Sequence, residues 1–138
     1  MEVRESQVED VLATYPDITK EVMRLHDDLT LLARQKLLPS GNRLDLLFVS
    51  GNRLKLLELK VSVFEKQFID QVVQYKHELV QLQSEDKLVN GCIDAYLLCP
   101  SMTVAQKQDC LKCDVYPVEY SPEGVLDSFL ARLSRQAG

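Results

Sequence analysis

The stretch from Gly41 to Lys60, GNRLDLLFVSGNRLKLLELK, narrows what this chain can become more than any other. Two apolar runs flank Ser50-Gly51-Asn52, a turn signal with glycine at its first central position. Such a pair reads as a β-hairpin closed by a type II′ turn. A two-residue loop at Gly51-Asn52 sets the register, so that facing residues have numbers adding to 103. Ser50 then faces Arg53, and Asp45 faces Glu58 with their Cβ atoms about 5 Å apart. Glu58 and Lys60 are two apart and share one face of their strand, together with Leu47, Val49, Leu54 and Leu56. An otherwise greasy hairpin gathers two acids and a lysine at one end.

The flanking segments supply a sheet and its covering helices. SQVEDVLATYP carries Val8, Val11, Leu12 and Tyr15 at helical spacing, with Ser6 and Glu9 as a capping box and Pro16 as its stop. A short second turn follows through DITKEVMRL, and LTLLARQKLL reads as a strand ending in the turn Pro39-Ser40-Gly41-Asn42. After the hairpin, EKQFIDQVVQYKHELVQLQ is a long amphipathic helix. NGCIDAYLLCP is an apolar strand, TVAQKQDCLKC a helix, and DVYPVEY a short strand whose proline marks a sheet edge. SPEGVLDSFLARLSRQ closes the chain as a helix started by Ser121 and Pro122, apolar enough to cover the sheet or to face a second subunit. The order α-β-β-β-α-β-α-β-α predicts an α/β (α+β) mixed sheet flanked by helices, one domain over residues 1–138.

Charge and cysteine usage restrict the possible classes. The net charge of −5 does not by itself point to nucleic acid. Its distribution is uneven: residues 20–66 carry a surplus of three positive charges, and each flank a surplus of four negative ones. No run approaches the roughly 20 apolar residues of a membrane span, and the acidic start MEVRESQVED is no signal peptide. A cytoplasmic protein is expected. Cys110 and Cys113 form a C-x-x-C that would be half of a zinc site, with Cys92 and Cys99 as the other half. Those last two lie seven apart in a strand and point to opposite faces, so the simpler reading is two buried small hydrophobes and two helix-end thiols.

Two like charges facing each other on a half-apolar surface are destabilising unless something offsets them. Lys60 does part of this. A divalent cation does more, because paired carboxylates anchor Mg²⁺ while water and substrate phosphates complete its shell. A lysine beside such a cation holds the attacking water and favours its deprotonated form. A structural salt bridge at a hairpin end is the competing reading, and a one-residue bulge would spoil the pairing. In the following helix, Gln71 and Tyr75 lie four apart, on the face that continues through Phe64, Phe68, Leu79 and Leu82. That face meets the sheet, so both polar ends are placed near the strand carrying Glu58.

The combination D-x₁₂-E-x-K followed by Q-x-x-x-Y resembles the PD-(D/E)XK nuclease superfamily, and within it the nuclease domain of the NucS (EndoMS) endonucleases. VEDVLATYPDI is similar to that family's opening acidic helix, RQKLLPSGNRLDLLF to its strand, turn and Asp strand, and CIDAYLLCPSMTVAQKQDCL to its later strand and helix. The resemblance spans about residues 5–120. It implies a restriction-endonuclease-like fold and Mg²⁺- or Mn²⁺-dependent cleavage of DNA. It makes Asp45 and Glu58 metal ligands, Lys60 the residue acting on the nucleophilic water, Gln71 a positioner and Tyr75 a phosphate contact or brace. Glu9 matches the first-helix acid that assists metal binding, with Glu5 as the alternative. Arg34, Lys36, Arg43, Arg53 and Lys66 are candidate DNA contacts, each equally readable as a solvated strand-edge charge. Some superfamily members hold an iron–sulfur cluster through cysteines that begin before the Asp motif, whereas all four here follow it. NucS proteins carry a further domain that grips DNA, so a homodimer or a separate DNA-binding partner is expected. The rival expectation is a non-catalytic nucleic-acid or protein-binding module on the same fold.

Overall fold

The computed structural model describes residues 2–137, so that only Met1 and Gly138 of the expected domain lie outside it. Helix α1 (Glu5–Thr14) and short α2 (Pro16–Val22) lead into strands β1 (Thr30–Leu37), β2 (Arg43–Ser50) and β3 (Arg53–Leu59). Helix α3 (Gln67–Ser84), β4 (Cys92–Cys99), α4 (Val104–Lys112), β5 (Val115–Glu119) and α5 (Pro122–Ala137) follow. One five-stranded sheet runs β1-β2-β3-β4-β5. Its first three strands are antiparallel and its last two pairings parallel, the mixed sheet expected. Proline-bearing β5 sits at the edge, where a missing N–H costs no ladder bond.

The central hairpin has the expected register. Pairs run from Ser50↔Arg53 to Leu46↔Leu57, and Gly51 takes φ +61 at the first loop position. Successive side chains go to opposite faces, and each face buries its own core. Leu47, Leu54, Leu56, Ala95 and Leu97 meet Phe68, Val72, Tyr75, Leu79 and Leu82 of α3. Leu46, Phe48, Leu57, Tyr96 and Leu98 meet Val8, Val11 and Leu12 of α1, Ile18 of α2 and Val125 of α5. Because both faces are covered, the inner strands read as near-continuous hydrophobic runs rather than alternating ones. Helix α5 packs mainly on α1 and α2 and reaches the sheet-side core through Val125, leaving Leu130 and Leu133 exposed.

Two local expectations need correction. The Ser6–Glu9 capping box does not form. Helix α1 begins two residues earlier, with Arg4 as its N-cap, and the Gln7 side chain accepts the Arg4 N–H at 3.0 Å in its place. Glu9 is thereby released from capping. Strand β1 is also less regular than its sequence: the register slips at Leu32, and Gln35 sits at φ +51 in the middle of the strand.

The turn glycine carries the register that sets the acids across from each other. Gly51→Ala forces an L side chain into a left-handed conformation, and urea unfolding is expected to show a loss of about 1 kcal/mol.

Candidate active site

The hairpin ladder stops just before the two acids meet. Beyond Leu46↔Leu57, the carboxylates replace the backbone partners. The Asp45 N–H donates to Glu58 Oε1 at 2.8 Å, and the Leu59 N–H donates to Asp45 Oδ2 at 3.0 Å. Each acid thus caps the other strand. A hydrogen bond contributes about 0.5–1.5 kcal/mol when its acceptor is neutral and about 1.5–3 kcal/mol when it is charged, and the two together hold the acids inward. Leu44 and Leu47 both reach the α3-side core, so strict alternation breaks between them, at Asp45. Asp45 opens onto a cleft of about 280 Å³ lined also by Glu5, Ser6, Glu9, Gln35 and Leu59.

Burial dominates the electrostatics. Glu58 is only 2 % exposed. Desolvation, aided by the charge of Asp45, pushes its carboxyl up to about 9. Burial likewise raises Asp45, with the Glu9 charge adding to it, while the Leu59 N–H and Lys60 pull it back. Desolvation also raises Glu5, with Lys60 opposing. Two carboxyls that resist ionisation side by side are a donor set a hard divalent cation fits, since its charge removes the penalty both of them carry.

Lys60 continues β3 by one backbone bond, its N–H donating to the Leu98 carbonyl at 2.8 Å. Its Nζ lies 4.0 Å from Glu58 Oε2, donates to Gln71 Oε1 at 2.9 Å and rests 4.7 Å from the centroid of the Phe68 ring. Gln71 Nε2 then donates to the Tyr75 hydroxyl at 3.0 Å. Tyr75 is 4 % exposed, and burial followed by the Glu58 charge raises its hydroxyl. The structure therefore joins Asp45, Glu58, Lys60, Gln71 and Tyr75 in one chain of contacts.

Glu9 reaches the same cleft from α1. It is 7 % exposed and accepts from Gln35 Nε2 at 2.6 Å and from Arg34 Nη2 at 3.2 Å. Arg34 also pairs with Asp10. Arg43 donates to the Gln35 carbonyl at 3.2 Å. Lys36 and Lys66 have no ion pair among the described residues. Arg53 is not brought to the site. It lies about 17 Å along β3 from Glu58, its guanidinium committed to both oxygens of Asp94 at 2.9 and 2.7 Å.

Two participants escaped sequence reasoning. Tyr120 donates its hydroxyl to the Lys60 carbonyl at 2.8 Å, bracing the lysine from behind, and burial raises that hydroxyl too. No local pattern marks it, because only the β4–β5 pairing brings it near. Gln35 also donates from Nε2 to Asp45 Oδ1 at 3.3 Å. The one available signal was positional: a hairpin closed at Pro39–Asn42 sets Gln35 opposite Asp45.

The cysteines stand apart. Cys99 and Cys110 are buried and Cys92 and Cys113 exposed, which splits the C-x-x-C between core and surface. Desolvation pushes Cys99 up to about 12 and Cys110 to about 11, against thiolate formation. Among the described residues, no three His, Cys, Asp or Glu side chains form a group placed to hold a metal ion.

Comparison with known proteins establishes the fold. No protein-family model matches the chain. No curated protein matches it either. Three solved structures do. A repair endonuclease from Pyrococcus abyssi superposes with a TM-score of 0.63 at 20% identity, over 88% of this chain and 49% of that one. An EndoMS complex with double-stranded DNA gives 0.65 at 19% identity, over 86% and 44%. EndoMS in its apo form gives 0.61 at 21% identity, over 88% and 48%. The chain spans about half the length of the structures it matches. It has the restriction-endonuclease-like fold that its motif order implies.

The raised carboxyls carry a stability consequence. Glu58 binds its proton more tightly folded than unfolded, so its contribution is full below about pH 4.5 and is lost as pH rises toward about 9. In chelator, the melting temperature is expected to fall across that window. Glu58→Gln should flatten the slope and raise the midpoint at pH 8 by about 3–8 °C, the size of a 1–2 kcal/mol gain. An unchanged slope in the variant would refute the assignment.

Proposed function

We propose that this chain is a metal-dependent DNA endonuclease domain, 1–138, that hydrolyses phosphodiester bonds. The observation that carries the reading is the buried Asp45–Glu58 pair, with Lys60 at 4.0 Å from Glu58 and tied to Gln71 and Tyr75. A structural salt bridge needs one acid per base, and nothing in such a role calls for a second buried carboxylate or for a glutamine–tyrosine relay. The likeness to DNA repair endonucleases, one of them solved on double-stranded DNA, supports the same reading.

Asp45 and Glu58 would hold Mg²⁺ or Mn²⁺. A bound cation of this kind supplies charge neutralisation at the scissile phosphate and a more acidic water. The remaining work belongs to the chain. Lys60 Nζ orients the attacking water and offsets the negative charge gathering on the phosphate. Gln71 fixes the lysine's position through its carbonyl oxygen, and Tyr75 fixes Gln71 through its hydroxyl. Glu9 stands as a further acid on the α1 side. Arg34, Lys36 and Arg43, on or beside the strand facing the cleft, are the candidates for phosphate contact. DNA is the substrate class. The chain's acidic balance makes a second copy or a DNA-gripping partner the source of affinity.

Calorimetry with Mn²⁺ and a panel of labelled DNA structures test this together. Wild type is expected to bind Mn²⁺ and cut, and Asp45→Ala and Glu58→Ala to lose both. Lys60→Ala is expected to keep Mn²⁺ binding while cleavage falls by about 10²–10⁴-fold. Wild-type protein that takes up no Mn²⁺ would sink the proposal.

A further inference from the structure

Gln35 is the anomaly of strand β1. It holds φ +51, a left-handed conformation that a non-glycine residue rarely takes within a strand. The strand does not need it for pairing, since both neighbours stay in register: Arg34 with Leu46 and Lys36 with Leu44. The conformation has a visible outcome. It brings the side-chain amide between two acids from different elements, 2.6 Å from Glu9 Oε1 and 3.3 Å from Asp45 Oδ1. Arg43 holds the backbone in that posture by donating to the Gln35 carbonyl at 3.2 Å.

An amide nitrogen carries two N–H donors and no net charge. Placed between two carboxylates it satisfies one oxygen of each, as a bridging cation would, but without adding a ligand. We propose that Gln35 is a positioning residue that sets the metal stoichiometry of the cleft: its amide occupies the gap between Glu9 and Asp45, so that a single divalent cation is loaded, at Asp45 and Glu58. The inference rests on the metal-site reading above. It assigns Glu9 to the amide rather than to a second cation. Arg34, 3.2 Å from the other Glu9 oxygen, supports that assignment by neutralising the acid on its far side.

Gln35→Glu keeps the length of the side chain and replaces the donor with a third carboxylate. Gln35→Asn tolerates positive φ more readily and withdraws the amide by one methylene, which opens the gap with little strain. Chelator-treated protein is titrated with Mn²⁺ by calorimetry, with circular dichroism as the check on folding. The expected result is one Mn²⁺ per chain for wild type and two for both variants, the second tighter in Gln35→Glu than in Gln35→Asn. Should Gln35→Glu fail to fold, Gln35→Asn alone decides the point. Two Mn²⁺ in wild type, or one in a folded variant, would overturn the role of Gln35 and leave the metal site standing. No uptake by wild type would overturn the metal-site reading itself, and this inference with it.

Discussion

Everything at this site depends on the exchange of backbone amides between two acids. Asp45 and Glu58 sit where the β2–β3 ladder ends, and each accepts an N–H from the other's strand. This costs the hairpin its last ladder bonds and keeps two carboxyls in a poorly solvated place that resists their ionisation. Nothing about hairpin stability asks for it. A pair of apolar residues would extend the ladder and bury more surface. The two carboxyls are held in this position at a cost to the hairpin, and the proposed cation site is the reading that accounts for that cost.

The surrounding elements hold that arrangement from both sides of the sheet. From one side, α3 presents Gln71, Tyr75 and Glu78 on a single face at helical spacing. The first two form the relay to Lys60, and Glu78, 4 % exposed, accepts the Ser40 N–H at 2.7 Å. That last bond ties α3 to the β1–β2 turn, so the helix bearing the relay is anchored to the hairpin arm bearing Asp45. From the other side, α1 brings Glu5 and Glu9 to the cleft, and Tyr120, just after β5, holds the Lys60 backbone. The site draws on β1, β2, β3, α1, α3 and the segment just after β5, and the physical cause is the sheet order: β2 and β3 are inner strands, with a helix layer over each face.

Some features of the chain stay outside this account. The opposite end of the sheet carries a compact network in which Asp94 receives Arg53 and Lys55, and Lys55 also donates to the Tyr96 hydroxyl at 3.2 Å. These hydrogen bonds, above all that from Arg53, hold the Asp94 carboxyl down at about 2, the behaviour of a satisfied ion pair and the reverse of Glu58. The contrast is instructive: one sheet holds a neutralised acid at one end and two poorly neutralised ones at the other. Among the described residues, no helix is long and apolar enough to cross a membrane.

The sequence by itself determined the hairpin register, because a glycine-led two-residue turn fixes which residues of the two strands face each other. It also determined which face of α3 meets the sheet, since Phe68, Gln71, Tyr75, Leu79 and Leu82 share a helical stripe. Those two constraints place Asp45, Glu58, Lys60, Gln71 and Tyr75 near one another before any coordinates exist. The tertiary structure alone decided the rest. Ser6 and Glu9 read as a local cap, yet helix α1 caps itself with Gln7 and sends Glu9 across to β1. Arg53 reads as one more basic residue near the hairpin, yet it is spent on Asp94 at the far end. Tyr120 has no local mark, because its partner lies 60 residues away in the chain, and Gln35 is marked only by its place opposite Asp45. Short-range spacing encodes which face a side chain occupies. Which distant side chain waits on that face is set only when the sheet closes, and long-range hydrogen bonds then choose among partners that the sequence leaves equivalent.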